Sequence, residues 1–333
     1  MTAAGAASKC GDGPPMRDDE TDIGPVGAAH VPVMVVQVVG GLRPRPGACL
    51  VDGTVGLGGH AAALLDAVSD TTLLGVDQDP AALAVATDRL RRYGDRVVLR
   101  RGSFASLGEH MAAVGLTRAD GILLDLGVSS PQLDRPERGF SLRHDGPLDM
   151  RMDPAGTLTA ATIVNEWDAE DIARVLAEFG EEPRARAVAR AIVRARPLTT
   201  TAALARVVAH AAVRPATGRD PATRTFQALR IAVNDELGAL DAVLDRGWEL
   251  LTPGGRFVVL SYHSLEDRRV KLAFRRWAAR CLCPPAVPVC RCGWSPRVRV
   301  LTPRPLRPDA AETARNPRAR SARLRIVERL EDS

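Results

Sequence analysis

The stretch Val51-Asp52-Gly53-Thr54-Val55-Gly56-Leu57-Gly58-Gly59-His60 decides the fold. An apolar run over 48–51 leads into it, so a buried strand ends on a carboxylate. Gly53, Gly56, Gly58 and Gly59 crowd the turn that follows, and an Ala/Leu-rich segment over 60–67 reads as a helix. A strand, a tight glycine turn and a helix start allow a backbone to approach a nucleotide closely. The acid matters most. A turn built only for a pyrophosphate gains nothing from a carboxylate, whereas a turn facing a cationic ligand does.

Working outward, strands and helices alternate. Strands are predicted at 72–76, ending at Asp77, at 96–100, and at 121–124, ending at Asp125. A helix is predicted over 80–93, with Pro80 in its first turn. Continuous apolar strands separated by helices point to a parallel sheet covered on both faces. Residues 133–165 are rich in Gly, Pro and charge, and helices without strands follow. Asp168 can cap a helix bearing Ile172, Val175, Leu176 and Phe179 and stopped by Gly180, and two more helices are predicted at 183–196 and 200–213. A helix through Leu237, Leu240, Val243, Leu244 and Trp248 returns the chain to the sheet, with strands at 256–260 and 324–327. The expected division is a disordered extension at 1–28, a discontinuous α/β domain over 29–132 and 236–333, and an inserted helical domain over 133–235.

Composition bounds the function. The 333 residues are 45% hydrophobic, enough for a packed core. No run nears the roughly 18 apolar residues of a membrane span, and no signal-peptide core is evident. The cytoplasm is therefore the expected location, with no membrane partner. The net charge is +5, with residues 1–29 acidic and the body basic, which suits a polyanionic partner. Only Lys9 and Lys271 are lysines, a sign of codon bias that lowers the weight of any single arginine.

Asp77 lies 18 residues after Gly59, where an acid can accept both ribose hydroxyls of a nucleotide. To that point a nicotinamide dinucleotide and S-adenosylmethionine fit equally. The glycine spacing is G-x-x-G-x-G-G, not G-x-G-x-x-G. Asp52 faces the loop and disfavours phosphate, and Asp125 adds a second carboxylate beside the same crevice. These favour S-adenosylmethionine, which has two cationic groups and no phosphate. Phe104, after the third strand, is placed to stack on adenine or simply to fill the core. Two polar clusters close the later strands, Asp125-Leu126-Gly127-Val128-Ser129-Ser130-Pro131-Gln132 and Ser261-Tyr262-His263-Ser264-Leu265-Glu266-Asp267-Arg268. They suit an N–H or O–H methyl acceptor and make His263 the candidate catalytic residue. The plainer reading is that Ser264 and Asp267 only cap a helix over 268–279.

The chain also resembles a known family. HVPVM from His30, DGTVGLGGH from Asp52, GVDQDP from Gly75, GILLDLGVSSPQLD from Gly121, ERGFSLRHDGPLDMRMD from Glu137, PATRTFQALRIAVNDEL from Pro221, PGGRFVVLSYHSLEDR from Pro253 and NPRARSARLRI from Asn316 are similar to segments of the bacterial 16S rRNA (cytosine-N(4))-methyltransferases, the RsmH/MraW family. They cover nearly all of 30–328 in order. The resemblance implies a Rossmann-like class I S-adenosylmethionine-dependent methyltransferase fold with an inserted all-helical substrate-recognition domain. It implies methylation of the exocyclic amine of one cytidine in the decoding region of 16S rRNA in the small ribosomal subunit, with a homodimer left open. It implies Gly58, Gly59, His60, Asp77, Phe104, Asp125 and Gln132 as cofactor residues; Gln132 comes from the resemblance alone. Many amino-methyltransferases place D/N-P-P-Y/F after strand four. Here the residues are Asp125-Leu126-Gly127-Val128, a departure that leaves the catalytic assignment open between Asp125, a nearby backbone carbonyl and His263.

Arg184, Arg186, Arg190, Arg194 and Arg196 on one helical stretch, and ten arginines between 297 and 329, are expected to meet phosphates. Cys281, Cys283, Cys290 and Cys292 form a C-x-C…C-x-C cluster. Its spacing is tight for zinc, so reduced thiols are the default expectation and no metal is assigned. Two other functions compete. A nicotinamide-dependent oxidoreductase is opposed by Asp52 and the glycine spacing, and a non-catalytic RNA-binding protein by the intact Asp77 and both polar strand ends.

Overall fold

The computed structural model describes residues 32–212, 220–284, 286–287 and 289–331. The extension at 1–28, the first residues of the α/β domain at 29–31 and the helix end at Val213 lie outside the described residues. Seven strands form one sheet: β1 (Cys49–Asp52), β2 (Thr72–Asp77), β3 (Val97–Arg101), β4 (Ala119–Asp125), β5 (Leu251–Ser261), β6 (Val298–Val300) and β7 (Arg323–Arg329). Their order is β3-β2-β1-β4-β5-β7-β6. β1 to β5 run parallel, and β7 is antiparallel to both β5 and β6. The strand order reverses between β1 and β4, so the carboxyl ends there frame a crevice.

Alternation along the strands builds two cores, one on each face. Val51, Leu124, Phe257, Val259 and Val327 face one way, packed with Phe274 and Trp277. Leu50, Leu123, Val258, Leu260 and Ile326 face the other. The covering helices are α1 (Val35–Leu42), α2 (Gly59–Ala67), α3 (Pro80–Leu90) and α4 (Leu107–Ala112), and later α11 (Glu236–Arg246) and α12 (Ser264–Trp277). Asp79 caps α3 by accepting the Ala81 N–H at 2.9 Å. α3 ends at Leu90, short of the predicted 93, and a 3-10 segment runs over Arg91–Arg96, in which Gly94 has φ 57°.

Between β4 and β5 no described residue joins the sheet. Short α5 (Ser130–Asp134) precedes α6 (Ala160–Glu166), α7 (Ala169–Gly180), α8 (Ala185–Arg194), α9 (Thr201–Ala211) and α10 (Thr223–Asn234). They enclose an apolar cluster of their own, running from Phe140 to Leu229. Asp168 caps α7 as expected, accepting the Glu170 and Asp171 N–H groups at 2.9 and 2.8 Å. Gly180 is required for a different reason than expected. The left-handed residue is Glu181, at φ 48°, whereas a Cβ on Gly180 would lie 2.7 Å from the Arg224 carbonyl of α10. The last helix, α13 (Ala310–Arg315), lies in the tail. α1, α4, α5, α6, α10, α13 and β6 were not anticipated individually; β6 is three residues long and too short to show a period.

Candidate active site

Asp52 closes β1 and is buried, and its Oδ1 accepts the Thr54 N–H at 3.1 Å. The loop then runs through Gly56 at φ 51° to Gly58 at φ 76°, which stands immediately before α2. A Cβ on Gly53 would come within 2.6 Å of Leu124 Cδ2 and 3.3 Å of Phe104 Cβ. That contact sets Phe104 beside the loop, where its half-buried ring packs against the Val51 and Leu124 core. Thr54 ties the loop to β4, because its hydroxyl accepts the Asp125 N–H at 2.7 Å.

Asp77 closes β2. Its two oxygens accept the Gly56 N–H at 2.8 Å and the Asp79 N–H at 2.9 Å. Asp125 closes β4. Its Oδ1 accepts the Tyr262 hydroxyl at 2.7 Å, and its Oδ2 lies 3.4 Å from His60 Nδ1. His60, in the first turn of α2, is buried, and its Nε2 donates to the Val33 carbonyl at 2.8 Å.

Three carboxylates thus end β1, β2 and β4. Burial pushes Asp52 up to about 7, opposed by His60 and the Thr54 N–H and aided by Asp125 and Asp77. Burial also raises Asp77, against the N–H donors of Asp79 and Gly56, and raises Asp125, against His60 and Tyr262. Tyr262 is pushed well above its ordinary value by burial and by facing Asp125. Acids held this reluctantly ionised make a site that gains by binding a cation and loses by binding a phosphate.

Gln132 is buried, but it is held by protein. Its Oε1 accepts the Ser129 N–H and its Nε2 donates to Asp79 Oδ2, both at 2.9 Å. The same Asp79 oxygen takes Arg138 Nη1 at 2.9 Å. His263 is the residue before α12, and both of its ring nitrogens turn to Glu266. Nδ1 accepts the Glu266 N–H at 3.4 Å, and Nε2 lies 3.1 Å from Glu266 Oε1. Glu266 Oε2 in turn accepts the N–H groups of Tyr262 and His263 at 2.7 and 3.1 Å. Despite burial, His263 and Arg230 hold Glu266 below the usual carboxylate range. The capping alternative is thus what the structure displays, through His263 and Glu266 instead of Ser264 and Asp267.

The structure therefore brings Gly58, Gly59, His60, Asp77, Phe104 and Asp125 around the β1–β4 crevice. Gln132 joins it one step removed, through Asp79. Sequence reasoning missed Thr54, Asp79, Tyr262 and Glu266. Tyr262 was legible in one respect: it is one of two tyrosines in the chain and directly follows a strong apolar strand. The basic stretches are reduced in number. Arg196 is tied down by the Val164 carbonyl, at 2.7 Å, and the Trp167 carbonyl. Arg325 is buried against Asp267, and Arg297 stacks on Trp248 and Trp294, its guanidinium 5.2 Å from each ring centre. Arg186, Arg190 and Arg194 remain exposed at four-residue spacing along one face of α8.

The residues fit S-adenosylmethionine: a cradle with no room for a Cβ at Gly53, acids matched to a cation, and an Asp77 carboxylate with lone pairs beyond the two it uses. The sheet order with an antiparallel β7, the glycine loop after β1 and the acids at the strand ends define a class I methyltransferase, with S-adenosylmethionine as methyl donor. Residues 27–330 match the model of the MraW methylase family, and the chain belongs to that family. It is 51% identical over 310 residues to a protein of Symbiobacterium thermophilum named ribosomal RNA small subunit methyltransferase H, covering 91% of this chain and 97% of that one. Proteins of the same name from Thermomicrobium roseum (52% identity, covering 92% and 95% of the two chains) and Geobacter sulfurreducens (51%, covering 91% and 99%) are similar to the same extent. Among the described residues, no helix is long and apolar enough to cross a membrane.

Proposed function

We propose that the chain methylates the exocyclic N4 amine of a cytidine in 16S rRNA, cytosine 1402 by the family resemblance, on the small ribosomal subunit in the cytoplasm. The observation that carries this reading is the identity of about half, over nearly full length, with relatives named for that class of substrate. We take Gly58, Gly59, His60, Asp77, Phe104, Asp125 and Gln132 as the cofactor residues, Gln132 acting through Asp79, and 133–235 as the substrate-binding insertion. Asp77 would take the ribose hydroxyls, Phe104 would flank the base, and Asp52, Asp77 and Asp125 would balance the ligand's positive charge.

When bound, S-adenosylmethionine supplies an electrophilic methyl group. A cytosine amine is a poor nucleophile because its lone pair is delocalised into the ring, and a paired base must first be flipped out. Asp125 would accept an N4–H, which localises that lone pair. Burial makes Asp125 a stronger base than an ordinary carboxylate, and the Tyr262 hydroxyl fixes its orientation. His263 becomes a positioning residue: it holds Glu266, which holds the backbone of Tyr262. The exposed arginines of α8 would meet backbone phosphates. Labelled S-adenosylmethionine, incubated with unmodified small subunits and followed by nucleoside mass spectrometry, should yield N4-methylcytidine; label in any other nucleoside refutes the assignment. Light scattering of the free protein reads the homodimer directly.

A further inference from the structure

The segment between α12 and β6, residues 278–297, holds no helix or strand among its described residues, yet it contains the most concentrated group of thiols in the chain. Cys281 Sγ lies 3.3 Å from Cys290 Sγ and 3.7 Å from Cys292 Sγ, and Cys290 and Cys292 are 3.5 Å apart. Cys283 completes the group, with one ligand atom from each cysteine and all four within 4.8 Å of one another. A disulfide brings one pair to about 2.0 Å and leaves the other thiols outside it. Here three sulfurs form a nearly equilateral triangle with a fourth close by. Four thiolates about 2.3 Å from a tetrahedral zinc stand about 3.8 Å apart, close to the spacing seen.

Backbone groups point the same way. The Leu282 N–H donates to Cys292 Sγ at 3.4 Å, the Cys283 N–H to Cys281 Sγ at 3.3 Å, and the Arg291 N–H to Cys283 Sγ at 3.4 Å. Such donors suit sulfurs that carry negative charge. Arg280 and Arg291, both exposed in the same segment, offset the surplus charge of a tetrathiolate. Apart from half-buried Cys283, the described residues of 280–293 are all exposed. Trp294 sits edge-on to Trp248 at 6.2 Å, Arg297 N–H donates to the Trp277 carbonyl at 2.8 Å, and both contacts lie at its carboxyl-terminal end. Val287 and Val289 are exposed. A stretch that cannot bury a core of its own is what a metal staple orders.

We propose that Cys281, Cys283, Cys290 and Cys292 bind one structural zinc ion that folds the loop between α12 and β6. The C-x-C spacing that looked too tight in sequence is accommodated because each pair contributes one edge of the tetrahedron. Each ligating thiol releases its proton to solvent, so binding weakens as pH falls. The site is separate from the methyl-transfer crevice, so its failure would leave the proposed function standing.

The test is elemental analysis of the full-length protein purified without chelator under reducing conditions. One zinc per chain is expected, with a Cys290→Ser, Cys292→Ser variant at background. Replacing zinc by Co²⁺ in the wild-type chain should give the intense thiolate-to-cobalt absorption and red-region bands of a tetrahedral tetrathiolate, a readout that does not depend on the variant folding. Zinc should also protect these four thiols from iodoacetamide. No metal after reconstitution with zinc, a cobalt spectrum without thiolate bands, or a non-reduced mass showing disulfides among the four would overturn the proposal.

Discussion

Replacing Asp52 by asparagine tests whether the glycine loop is built for a cation. Asp52 is 1% exposed, and burial moves its carboxyl from an ordinary 3.8 to about 7, against the pull of His60 and the Thr54 N–H. A pKa raised on folding leaves stability intact below the unfolded value and removes it as pH climbs through about 7. At about 1.4 kcal/mol per unit, ionised Asp52 costs the ligand-free protein on the order of 4 kcal/mol above pH 7. A sulfonium and an ammonium nearby offset that cost, so cofactor binding is linked to ionisation. Affinity should fall by up to about tenfold per pH unit below 7. Asp52→Asn keeps an oxygen for the Thr54 N–H and cannot ionise. The variant should be more heat-stable than wild type near pH 8 and no more stable near about pH 4, with weaker cofactor binding that is less dependent on pH. The assay is calorimetric titration with S-adenosylmethionine from about pH 5.5 to about 8.5, alongside thermal unfolding. His60, Asp77 and Asp125 share the crevice, so the readout is the part of the slope that the substitution removes. Equal slopes in the two proteins, or no gain in stability near neutral pH, refute the reasoning.

Tyr262→Phe removes the hydroxyl that fixes Asp125 Oδ1 and should lower kcat by about tenfold to a hundredfold, the weight of one hydrogen bond to a charged group, while cofactor affinity holds in calorimetry. His263→Ala should also cut turnover strongly with cofactor binding preserved, along with about 1 kcal/mol of stability from the lost helix cap; unchanged turnover sinks the positioning role. Gly53→Ala should cost about 1–3 kcal/mol in denaturant unfolding, because the new methyl overlaps Leu124 and presses on Phe104. Replacing Arg186, Arg190 and Arg194 together by alanine should weaken rRNA binding in filter assays and flatten the log–log salt slope by about 2–3; an unchanged slope would move the phosphate contacts off α8.

The parallel half of the sheet was legible because buried strands write continuous apolar runs and each of the first four ends near an acid or a turn. The period fails where an element is too short, as in β6, or where a helix yields to a 3-10 segment, as beyond Leu90. Single acids at strand ends were legible too, since Asp52, Asp77 and Asp125 each follow an apolar run directly. Their relationships were not. Nothing local says that Thr54 bridges β1 to β4, or that Tyr262 reaches back 137 residues to Asp125. His263 shows the same limit from the other side. A histidine after a strand looks like chemistry, and only the folded helix start reveals both of its nitrogens turned to Glu266.

Side-chain pairings also tie the helices between β4 and β5 to the sheet on either side. On the β2 side, Asp79 caps α3 with one oxygen and holds Gln132 and Arg138 with the other. Arg138 continues to the carbonyls of Arg151 and Met152, and Arg101 of β3 pairs with Asp153 at 2.5 Å. On the β5 side, Glu181 at the end of α7 meets Ser264 Oγ, and Arg268 at 3.3 Å. Arg230 of α10 grips Glu236 of α11 through two contacts of 2.7 Å, and its charge also bears on Glu266. The helices between β4 and β5 are therefore fastened to both rims of the crevice: on one, Arg138 shares the Asp79 oxygen that holds Gln132, and on the other Glu181 meets Ser264 beside the His263–Glu266 pair. A partner that moves α7 or α10 would therefore act first on Ser264 and on the Arg230, Glu236 and Glu266 charges, beside the helix start whose Glu266 holds the Tyr262 N–H.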